Sequence, residues 1–242
     1  MVESLISPPL TTTDRAKLSL GKSSGAIYRS VASLLGSRHT RGGTVLDVGC
    51  GCGDLQPFIA GLFDTYCGAD VVRYQAFPEW ATFYQTDLEA DRIAVPDSFA
   101  DAVVAVETIE HLENPRAFCR ELTRLAKPDG WIVVTTPNQL SLLSKLTLAL
   151  RNEFNAFRAS SYPAHLTALL EVDLRRIAAE CGWRDFAIHY TSFGRIPGSA
   201  RHWPRWLANC FPRAFSDNVL AVGRKSHGVA QSHSNRNSHA AI

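Results

Sequence analysis

The stretch VLDVGCGCGDL, residues 45–55, joins a short apolar run to three closely spaced glycines and two cysteines. The run TVLDVG, at 44–49, is compact, β-branched and ends in glycine, as expected for a buried strand. After the glycines, apolar residues recur at helical spacing: Leu55, Phe58, Ile59 and Leu62. We therefore interpret the stretch as a strand, a glycine-rich turn and a helix that lies on a sheet.

The alternation of strands and helices continues after this turn. Further strands are predicted at 65–72, 81–87, 100–107 and 131–137, and a helix capped by Asn114 at 114–127. This order favours a parallel sheet covered on both faces, whose ligands bind at the carboxyl ends of the strands. Polar or acidic residues end these strands: Asp47 with Gly49, Asp70, Asp87, Glu107 and Thr136. A ligand site is therefore predicted along this edge of the sheet.

The rest of the chain predicts one domain with additions. A helical insertion is expected at about 139–165, a helix at 171–181, and strands at 185–192 and 218–225. A loop rich in Trp, Pro and Arg joins the last two strands at about 194–215. We interpret 21–225 as a single domain, preceded by a flexible arm at 1–20 and followed by a disordered tail at 226–242.

The glycines of the turn indicate a ligand-binding bend. Without side chains they let the backbone approach a ligand where a Cβ atom would collide, and the helix start presents free amides. A dinucleotide turn, G-x-G-x-x-G, is disfavoured because Asp54 or Gln56 stands where its last glycine would be. Cys50 and Cys52 are too close for a disulfide of normal geometry and lack partners at zinc spacing. We therefore attribute the function of the turn to its glycines and not to its cysteines.

The pattern Asp47-x-Gly49-x-Gly51-x-Gly53 resembles the cofactor motif of class I S-adenosylmethionine-dependent methyltransferases, and the resemblance extends through most of the chain. It implies an α/β, Rossmann-like fold: a mostly parallel seven-stranded sheet with helices on both faces and an antiparallel last strand. It also implies S-adenosyl-L-methionine as the cofactor. The cofactor-binding residues that it implies are Asp47, Gly49, Gly51, Gly53, Asp70, Val71, Asp87, Leu88 and Glu107.

The resemblance assigns particular roles to some of these residues. Asp70 corresponds to the acid that holds both ribose hydroxyls, a task suited to the two acceptor oxygens of a carboxylate. Asp87 and Leu88 correspond to the pair at the adenine edge. Glu107, with Val106, lies where the fourth strand lines the methionine end of the cofactor.

Two longer segments, 99–115 and 125–138, are similar to the subgroup that includes ubiquinone-pathway and sugar-cluster methyltransferases. The similarity implies O-methylation of a small molecule or of a sugar- or lipid-linked intermediate. Such an enzyme chiefly holds the acceptor in line with the methyl–sulfur bond and excludes water, and a hydroxyl acceptor must also lose a proton. Histidine suits that proton transfer.

Two histidines are the candidate catalytic residues. His111 follows Glu110 just past the fourth strand, where the acceptor would lie, and we hypothesise that it acts as a base or orients the acceptor. His165 resembles a recurring histidine that opens the segment before the last helix, and it is a candidate for the acceptor pocket. Each of them also fits a structural role, in orienting a turn or capping a helix.

Three alternatives compete with this interpretation. Glu107, Glu110, His111 and His165 together resemble the metal site of small-RNA 3′-terminal 2′-O-methyltransferases. That reading is disfavoured because residues 139–150 lack the polar character of that family and no aromatic and basic platform for RNA is evident, so we predict no bound metal. A cofactor-binding protein without catalysis, or a nicotinamide dehydrogenase, would also use a glycine-rich turn.

Composition narrows the setting and the partners. The chain has 242 residues and a net charge of +2, and its six cysteines form no C-x-x-C pair, which favours a reducing, cytoplasmic location. The amino-terminal sequence does not resemble a signal peptide, and no apolar run is long enough for a membrane span. Basic residues exceed acidic ones in 151–225, which favours an anionic substrate or peripheral contact with an anionic surface such as a membrane. The resemblance to sugar-cluster methyltransferases implies a small-molecule or lipid-linked acceptor, and nucleic acid is not expected.

Overall fold

A computed structural model describes residues 11–18, 21–89 and 92–227. Its seven strands are β1 Thr44–Val48, β2 Thr65–Asp70, β3 Thr82–Gln85, β4 Ala100–Val106, β5 Ala126–Pro137, β6 Trp183–Tyr190 and β7 Asn218–Lys225. They form one sheet in the order β3-β2-β1-β4-β5-β7-β6. Strand β7 is antiparallel to both of its neighbours, and the other neighbouring pairs are parallel. The predicted fold class, with its antiparallel last strand, is confirmed.

Strand β1 lies at the centre of the ligand-binding edge. Val45 pairs with Tyr66 of β2 on one side and with Ala102 of β4 on the other. The chain thus continues from β1 to β2 and β3 on one side and then crosses to β4 on the other side of β1. In open α/β sheets, the crevice at such a reversal of strand order is where ligands bind.

Helices cover both faces of the sheet. The α-helices are α1 Thr12–Leu18, α2 Gly25–Gly36, α3 Gln56–Ile59, α4 Pro115–Leu125, α5 Leu142–Arg151, α6 Glu171–Glu180, α7 Arg205–Cys210 and α8 Pro212–Phe215. Short 3-10 helices occupy Ile109–His111, Asn155–Phe157 and Ala159–Ser161. Helices α2 and α3 pack on one face with Val45, whereas α4 and α6 pack on the other face with Leu46. Alternate residues of the buried strands therefore supply two separate cores.

Helix α1 and strand β5 differ from the sequence-based expectation. Residues 12–18, predicted as part of a flexible arm, form helix α1, whose buried Arg15 pairs with Glu89 of the sheet edge. The helix begins after Thr11, whose hydroxyl and the Asp14 carboxylate are joined by a hydrogen bond of 2.6 Å. Strand β5 also begins five residues earlier than predicted, because Ala126 already pairs with Ala100 of β4.

The helix that follows the glycine turn is shorter than predicted. Only residues 56–59 are helical, because Ala60 has extended backbone angles and Gly61 follows with a φ of +80°. The predicted insertion at 139–165 contains α5 and two 3-10 helices separated by turns. Helix α5 ends at Asn152, which adopts the left-handed conformation that commonly terminates helices.

Within the described residues, every helix is too short or too polar to span a membrane. The rest of the predicted arm, 1–10 with 19–20, and residues 228–242 of the predicted tail lie outside the described residues.

Candidate functional site

A cavity of about 450 Å³ opens where β1, β2 and β4 end. The predicted cofactor residues that line it are Asp47, Gly49, Asp70, Val71, Leu88 and Glu107. Both candidate catalytic histidines, His111 and His165, line it as well. The fold therefore brings together residues that are far apart in the sequence at the predicted edge of the sheet.

Two buried carboxylates form the floor of this cavity near β1 and β2. Asp70 accepts hydrogen bonds from the backbone N–H groups of Gly51, at 2.8 Å, and Val72, at 3.3 Å. Asp47 accepts a hydrogen bond of 2.6 Å from the hydroxyl of Tyr66. Burial raises the pKa of Asp70, and burial with the nearby Asp70 charge raises the pKa of Asp47 to about 7 despite the Tyr66 hydrogen bond.

The glycine bend follows β1 and shapes the cavity wall. Gly49 lies in the wall with a φ of +74°, and a Cβ atom there would approach the Thr108 hydroxyl to 2.3 Å. Gly51 does not line the cavity, because the carbonyl of Gly21 covers it at 2.1 Å from where its Cβ would be. Gly53 packs in the same way against Pro78. These two glycines permit the bend, while Gly49 alone of the three faces the cavity.

The cysteines of the bend are buried side chains. The side chains of Cys50 and Cys52 are both buried, and Cys50 contributes to the cavity wall. Burial raises the pKa of both thiols, with neighbouring carboxylates adding to the effect. Because the thiolate is the reactive form, these cysteines are protonated and unreactive at neutral pH.

The predicted adenine pair is only partly at the cavity. Leu88 lines the wall, whereas Asp87 does not and instead accepts a hydrogen bond of 3.0 Å from the N–H of Glu89. Asp87 therefore stabilises the turn that follows β3 and thereby positions Leu88. Its role toward adenine stays a prediction.

The amino-terminal segment forms a wall that the sequence analysis missed. Helix α1 and residues 21–23 line the cavity, and the Tyr74 hydroxyl donates a hydrogen bond of 2.8 Å to the carbonyl of Ala16. Arg15 lies in the same wall and pairs with Glu89. Residues 12–18 have no apolar periodicity that would predict a helix. Tertiary contacts stabilise this helix instead.

At the end of β4, acidic residues meet the histidines. Glu107 has a φ of +51°, and its carboxylate accepts hydrogen bonds from Thr135, at 3.1 Å, and Asn218, at 2.8 Å. Glu110 is completely buried. Burial and the charge of Glu110 raise the pKa of Glu107, and burial raises the pKa of Glu110 to about 8. A left-handed conformation at a non-glycine residue is strained, and such strain is typical of functional sites.

The two histidines are fixed in the same manner. The Nδ1 atom of His111 is 2.7 Å from the carbonyl oxygen of Ala164, and Nδ1 of His165 is 2.7 Å from that of Ala156. These contacts place a proton on Nδ1 and leave the lone pair on Nε2. The ring centroids lie 4.8 Å apart. Burial lowers the pKa of both imidazoles, so both rings are neutral at pH 7.

A second cavity of about 430 Å³ adjoins the first. Glu107, His165, Ser23 and Ser161 line both cavities, so these residues mark the junction of one continuous cleft. The wall of the second cavity includes the polar side chains of Gln139, Asn155, Arg158, Arg195 and His202. Arg195 is already paired with Asp217 at 3.2 Å.

The raised pKa of Asp47 predicts a pH dependence of stability. The unfolded group ionises near 3.8 and the folded group near 7, so the folded state holds an extra proton between these values. Stability therefore falls as the pH rises through this window. Between pH 5 and pH 8, the free energy of unfolding of the ligand-free wild type should fall by at most about 2.5 kcal/mol because of Asp47. Asp47→Asn should not show this fall, because asparagine does not titrate.

Denaturant unfolding of both proteins at pH 5 and pH 8 checks this prediction. Asp101→Asn is the matched control: burial acts to raise the pKa of Asp101, but hydrogen bonds from Lys127 and Thr44 outweigh it and lower the pKa. Asp101 is thus ionised in both states across this range, and its substitution should cost the same stability at both pH values. Parallel pH profiles for wild type and Asp47→Asn would contradict the prediction.

Comparison with known proteins agrees with this geometry. A family model described as a methyltransferase domain matches residues 24–188, which is more than half of the chain. The chain belongs to this methyltransferase family. The matched region includes the glycine bend, the acidic strand ends and both histidines of the cleft.

The curated relatives that resemble this chain are methyltransferases by name. Ubiquinone biosynthesis O-methyltransferase of Paraburkholderia phytofirmans is 31% identical over 109 residues, which are 42% of this chain and 47% of that protein. The mitochondrial ubiquinone biosynthesis O-methyltransferase of Arabidopsis thaliana is 34% identical over 103 residues, which are 39% of this chain and 32% of that protein. The chain thus matches less than half the length of either relative.

A solved S-adenosylmethionine-dependent methyltransferase from Archaeoglobus fulgidus shares the fold. Its TM-score is 0.59 at 18% identity, and the superposition covers 82% of this chain and 94% of that one.

The cavity suits the cosubstrate of this family, S-adenosyl-L-methionine. Its volume lies within the range of small-molecule sites, about 300–1,000 Å³. The buried Asp70 carboxylate offers acceptor oxygens to ribose hydroxyls, and Val71 and Leu88 offer apolar walls. Gly49 keeps the wall free of a side chain where the bend faces the cavity. The residues present therefore fit this group.

Proposed function

We propose that this protein transfers a methyl group from S-adenosyl-L-methionine to a hydroxyl oxygen of a polar small molecule. The observation that carries the proposal is the junction of the two cavities, where Glu107 and His165 face both. One cavity has the lining expected for the methyl donor, and the other has room for an acceptor. The acidic and imidazole side chains thus lie where the reacting groups would meet.

The bound cosubstrate supplies an activated methyl group on a sulfonium sulfur. The residues of the chain then have two tasks, which are to hold the acceptor in line and to take up its proton. His111 and His165 are neutral at pH 7 and carry a lone pair on Nε2, so both can accept a hydrogen bond from an acceptor hydroxyl. Among the relatives, the ubiquinone biosynthesis O-methyltransferases methylate oxygen by name, which supports an oxygen acceptor here.

The polar second cavity supports a hydroxylated, anionic acceptor. Arg158 donates one N–H to the carbonyl of Asn155 at 3.0 Å and, within the described residues, has no carboxylate within 4.0 Å. It therefore offers an unneutralised guanidinium to a phosphate or carboxylate group. Gln139 and Asn155 in the same wall suit hydroxyl groups.

A lipid-linked acceptor and a reducing compartment extend this proposal. Leu150 of α5 and Trp206 of α7 are 82% and 69% exposed, and each has an arginine beside it in the sequence, Arg151 and Arg205. Apolar side chains next to cations suit a lipid headgroup region. The buried thiols of Cys50, Cys67 and Cys119 form no disulfide among the described residues, which suits the reducing, cytoplasmic setting predicted from the sequence.

Incubation of the protein with methyl-labelled cosubstrate and separate aqueous and lipid extracts tests the proposal. We expect label to enter an anionic, hydroxylated acceptor, in the lipid extract if that acceptor is lipid-linked. Arg158→Ala should raise KM for the labelled acceptor by about 10-fold to 100-fold, because a hydrogen bond to a charged group contributes about 1.5–3 kcal/mol.

Arg176→Ala provides the matched control. Arg176 lies on α6 with its side chain 66% exposed and outside both cavities, so its removal should leave KM unchanged. Binding of the demethylated product, S-adenosylhomocysteine, without label transfer to any fraction would instead indicate a cofactor-binding protein without catalysis. An unchanged KM in Arg158→Ala would remove the anionic acceptor from the proposal.

A further inference from the structure

A third cavity, of about 960 Å³, lies between helix α2 and the end of strand β6. One wall consists of residues from 26–38, which comprise most of α2 and the turn after it, and the opposite wall consists of residues 189–193 and 202–205. The buried side chains of Leu34 and Leu220 contribute to its lining. At 1.5 Å per residue, the helical wall is about 16 Å long, so the cavity can hold an elongated ligand.

The charged side chains in the wall of this third cavity are basic. Arg29, Arg38 and Arg205 line it, and among the described residues no aspartate or glutamate does. All three arginines are exposed, and none has a carboxylate within 4.0 Å in the part of the chain that the structure describes. Like charges that surround one concave surface without counter-ions attract anions to it. The cavity therefore suits an anionic ligand.

The carboxylate of Glu171 contacts a lining residue from outside the cavity. It accepts a hydrogen bond of 2.8 Å from the hydroxyl of Tyr190. The same carboxylate is paired with Arg175 at 2.8 Å and lies 3.4 Å from the guanidinium of Arg213. Two cations already compensate Glu171, so it does not neutralise the arginines of the third cavity.

A hydrogen bond across the third cavity positions Arg38. One of its terminal N–H groups donates to Nε2 of His189 at 2.9 Å. Because a guanidinium only donates, Nε2 carries the lone pair in this contact and His189 is neutral. Four N–H donors of Arg38 remain for a ligand. The hydroxyl of Ser33, which follows Arg29 by one turn of α2, makes no hydrogen bond within the described residues and adds a further donor.

We propose that the third cavity binds a phosphate ester, with Arg29, Arg38 and Arg205 as its cationic contacts. The planar N–H groups of a guanidinium match pairs of phosphate oxygens, which makes arginine the usual ligand of this group. A phosphate monoester carries up to two negative charges at neutral pH and has three terminal oxygens, so it can contact several guanidinium groups at once. A carboxylate has one charge and two oxygens and would leave more of these donors unused.

The third cavity adjoins the proposed acceptor site. Phe193 and His202 line both the second and the third cavity, and their rings stack with centroids 3.9 Å apart. Both side chains are exposed, so a ligand in the second cavity can extend past this aromatic pair into the third. We therefore assign the phosphate to the far end of the methyl acceptor, a step that rests on the proposed function. The acceptor is then an elongated phosphate ester that is methylated at its other end.

Calorimetry of the full-length protein with inorganic phosphate, without cosubstrate, tests the binding site directly. We expect Arg29→Ala and Arg38→Ala each to weaken phosphate binding by about 10-fold. This factor is the lower end of what a hydrogen bond between charged groups contributes, because both side chains are exposed. Ser33→Phe keeps all three arginines but places a ring in the cavity wall, so it should weaken binding as well.

Arg120→Ala is the matched control for the loss of one positive charge. Arg120 is exposed on α4, on the opposite face of the sheet and outside all three cavities, so this variant should bind phosphate as the wild type does. Circular dichroism reports whether each variant is folded. Wild-type affinity in folded Arg29→Ala and Arg38→Ala would overturn the proposal. An equal loss in Arg120→Ala, or a loss in Arg158→Ala alone, would also overturn it, since phosphate would then bind elsewhere.

Methyl-transfer assays separate the phosphate site from the proposed function. If both are correct, inorganic phosphate should compete with the labelled acceptor, and Arg29→Ala should raise its KM by about 10-fold with kcat unchanged. Phosphate binding without labelled product from any extract would support the site and count against the proposed function. Label transfer with wild-type KM and wild-type phosphate affinity in Arg29→Ala would overturn the inference and leave the proposed function intact.

A vesicle assay distinguishes the acceptor from a lipid headgroup as the source of the phosphate. Arg29→Ala and Arg38→Ala are compared with the wild type for sedimentation with vesicles of phosphatidylglycerol and of phosphatidylcholine. We expect equal sedimentation of all three proteins. Weaker binding of the two variants to phosphatidylglycerol, with KM unchanged, would support a phosphate site that holds a lipid headgroup and would overturn its assignment to the acceptor.

Discussion

Replacing Gly49 by alanine is expected to destabilise the protein by about 2–5 kcal/mol and to weaken S-adenosylhomocysteine binding by more than 10-fold. The residue has a φ of +74°, and a left-handed conformation costs alanine about 1–2 kcal/mol. The added Cβ would also lie 2.3 Å from the Thr108 hydroxyl. That hydroxyl is buried and lies within hydrogen-bond distance of the carbonyls of Val48 and Val106, so it has little freedom to move. Overpacking of this kind costs about 1–3 kcal/mol or more.

Gly198 offers a control with the same backbone conformation. Its φ is also +74°, but nothing lies within 4 Å of the position of an added Cβ. Gly198→Ala should therefore cost only the backbone penalty of about 1–2 kcal/mol and leave ligand affinity unchanged. Denaturant unfolding measures the stability, and calorimetry with S-adenosylhomocysteine measures the affinity. Equal stability losses in the two variants would show that the contact with Thr108 has no effect.

The central strands of the sheet were predictable because they are buried on both faces. Parallel strands covered by helices are continuous apolar runs, and TVLDV and ADAVVAV contain few polar residues. Strand β7 occupies the predicted residues 218–225 for the same reason. Its direction was available only from the family resemblance, since an apolar run does not distinguish parallel from antiparallel pairing.

Helix α1 could not be predicted because its order depends on distant residues. The sequence TTDRAKL has no apolar stripe, and an isolated helix of seven residues is unstable in water. The pairing of Arg15 with Glu89 and the hydrogen bond from Tyr74 to Ala16 hold it against the sheet edge. Glu89 and Tyr74 are distant from this helix in the sequence, so the local pattern of residues does not predict these contacts.

Part of the cavity lining was predictable from the sequence, but the contacts that orient the lining residues were not. The strand ends and His111 could be identified because acidic and imidazole groups follow apolar strands, whereas His165 was identified only from the family resemblance. The contacts of Nδ1 with Ala164 and Ala156 could not, because backbone carbonyls are present at every position of a sequence. Those contacts are what make Nε2 of each ring available. The unpartnered carboxylate of Glu110 is likewise a property of packing.

Asp70→Asn is expected to weaken S-adenosylhomocysteine binding by about 100-fold while leaving the protein folded. The carboxylate ends β2 in the cavity wall, where we propose that its oxygens accept hydrogen bonds from both ribose hydroxyls. Asparagine has the same shape but a single acceptor oxygen and no charge. A hydrogen bond to a charged group contributes about 1.5–3 kcal/mol, so the loss of one of two corresponds to this factor.

Only a small loss of stability is expected in this variant. Asparagine gives up the hydrogen bond from the N–H of Val72, but burial raises the pKa of Asp70 and thus already disfavours the charged form that asparagine replaces. The asparagine oxygen can still accept the N–H of Gly51, now at 2.8 Å from Asp70, and so keep the glycine bend in place. Asp87→Asn is the comparison, since Asp87 follows β3 outside the cavity wall and should change affinity only a few-fold. Calorimetry with S-adenosylhomocysteine measures the affinity of both variants. Wild-type affinity in Asp70→Asn would contradict the proposed ribose contact. A large loss of affinity in Asp87→Asn would instead support a role of Asp87 at the adenine.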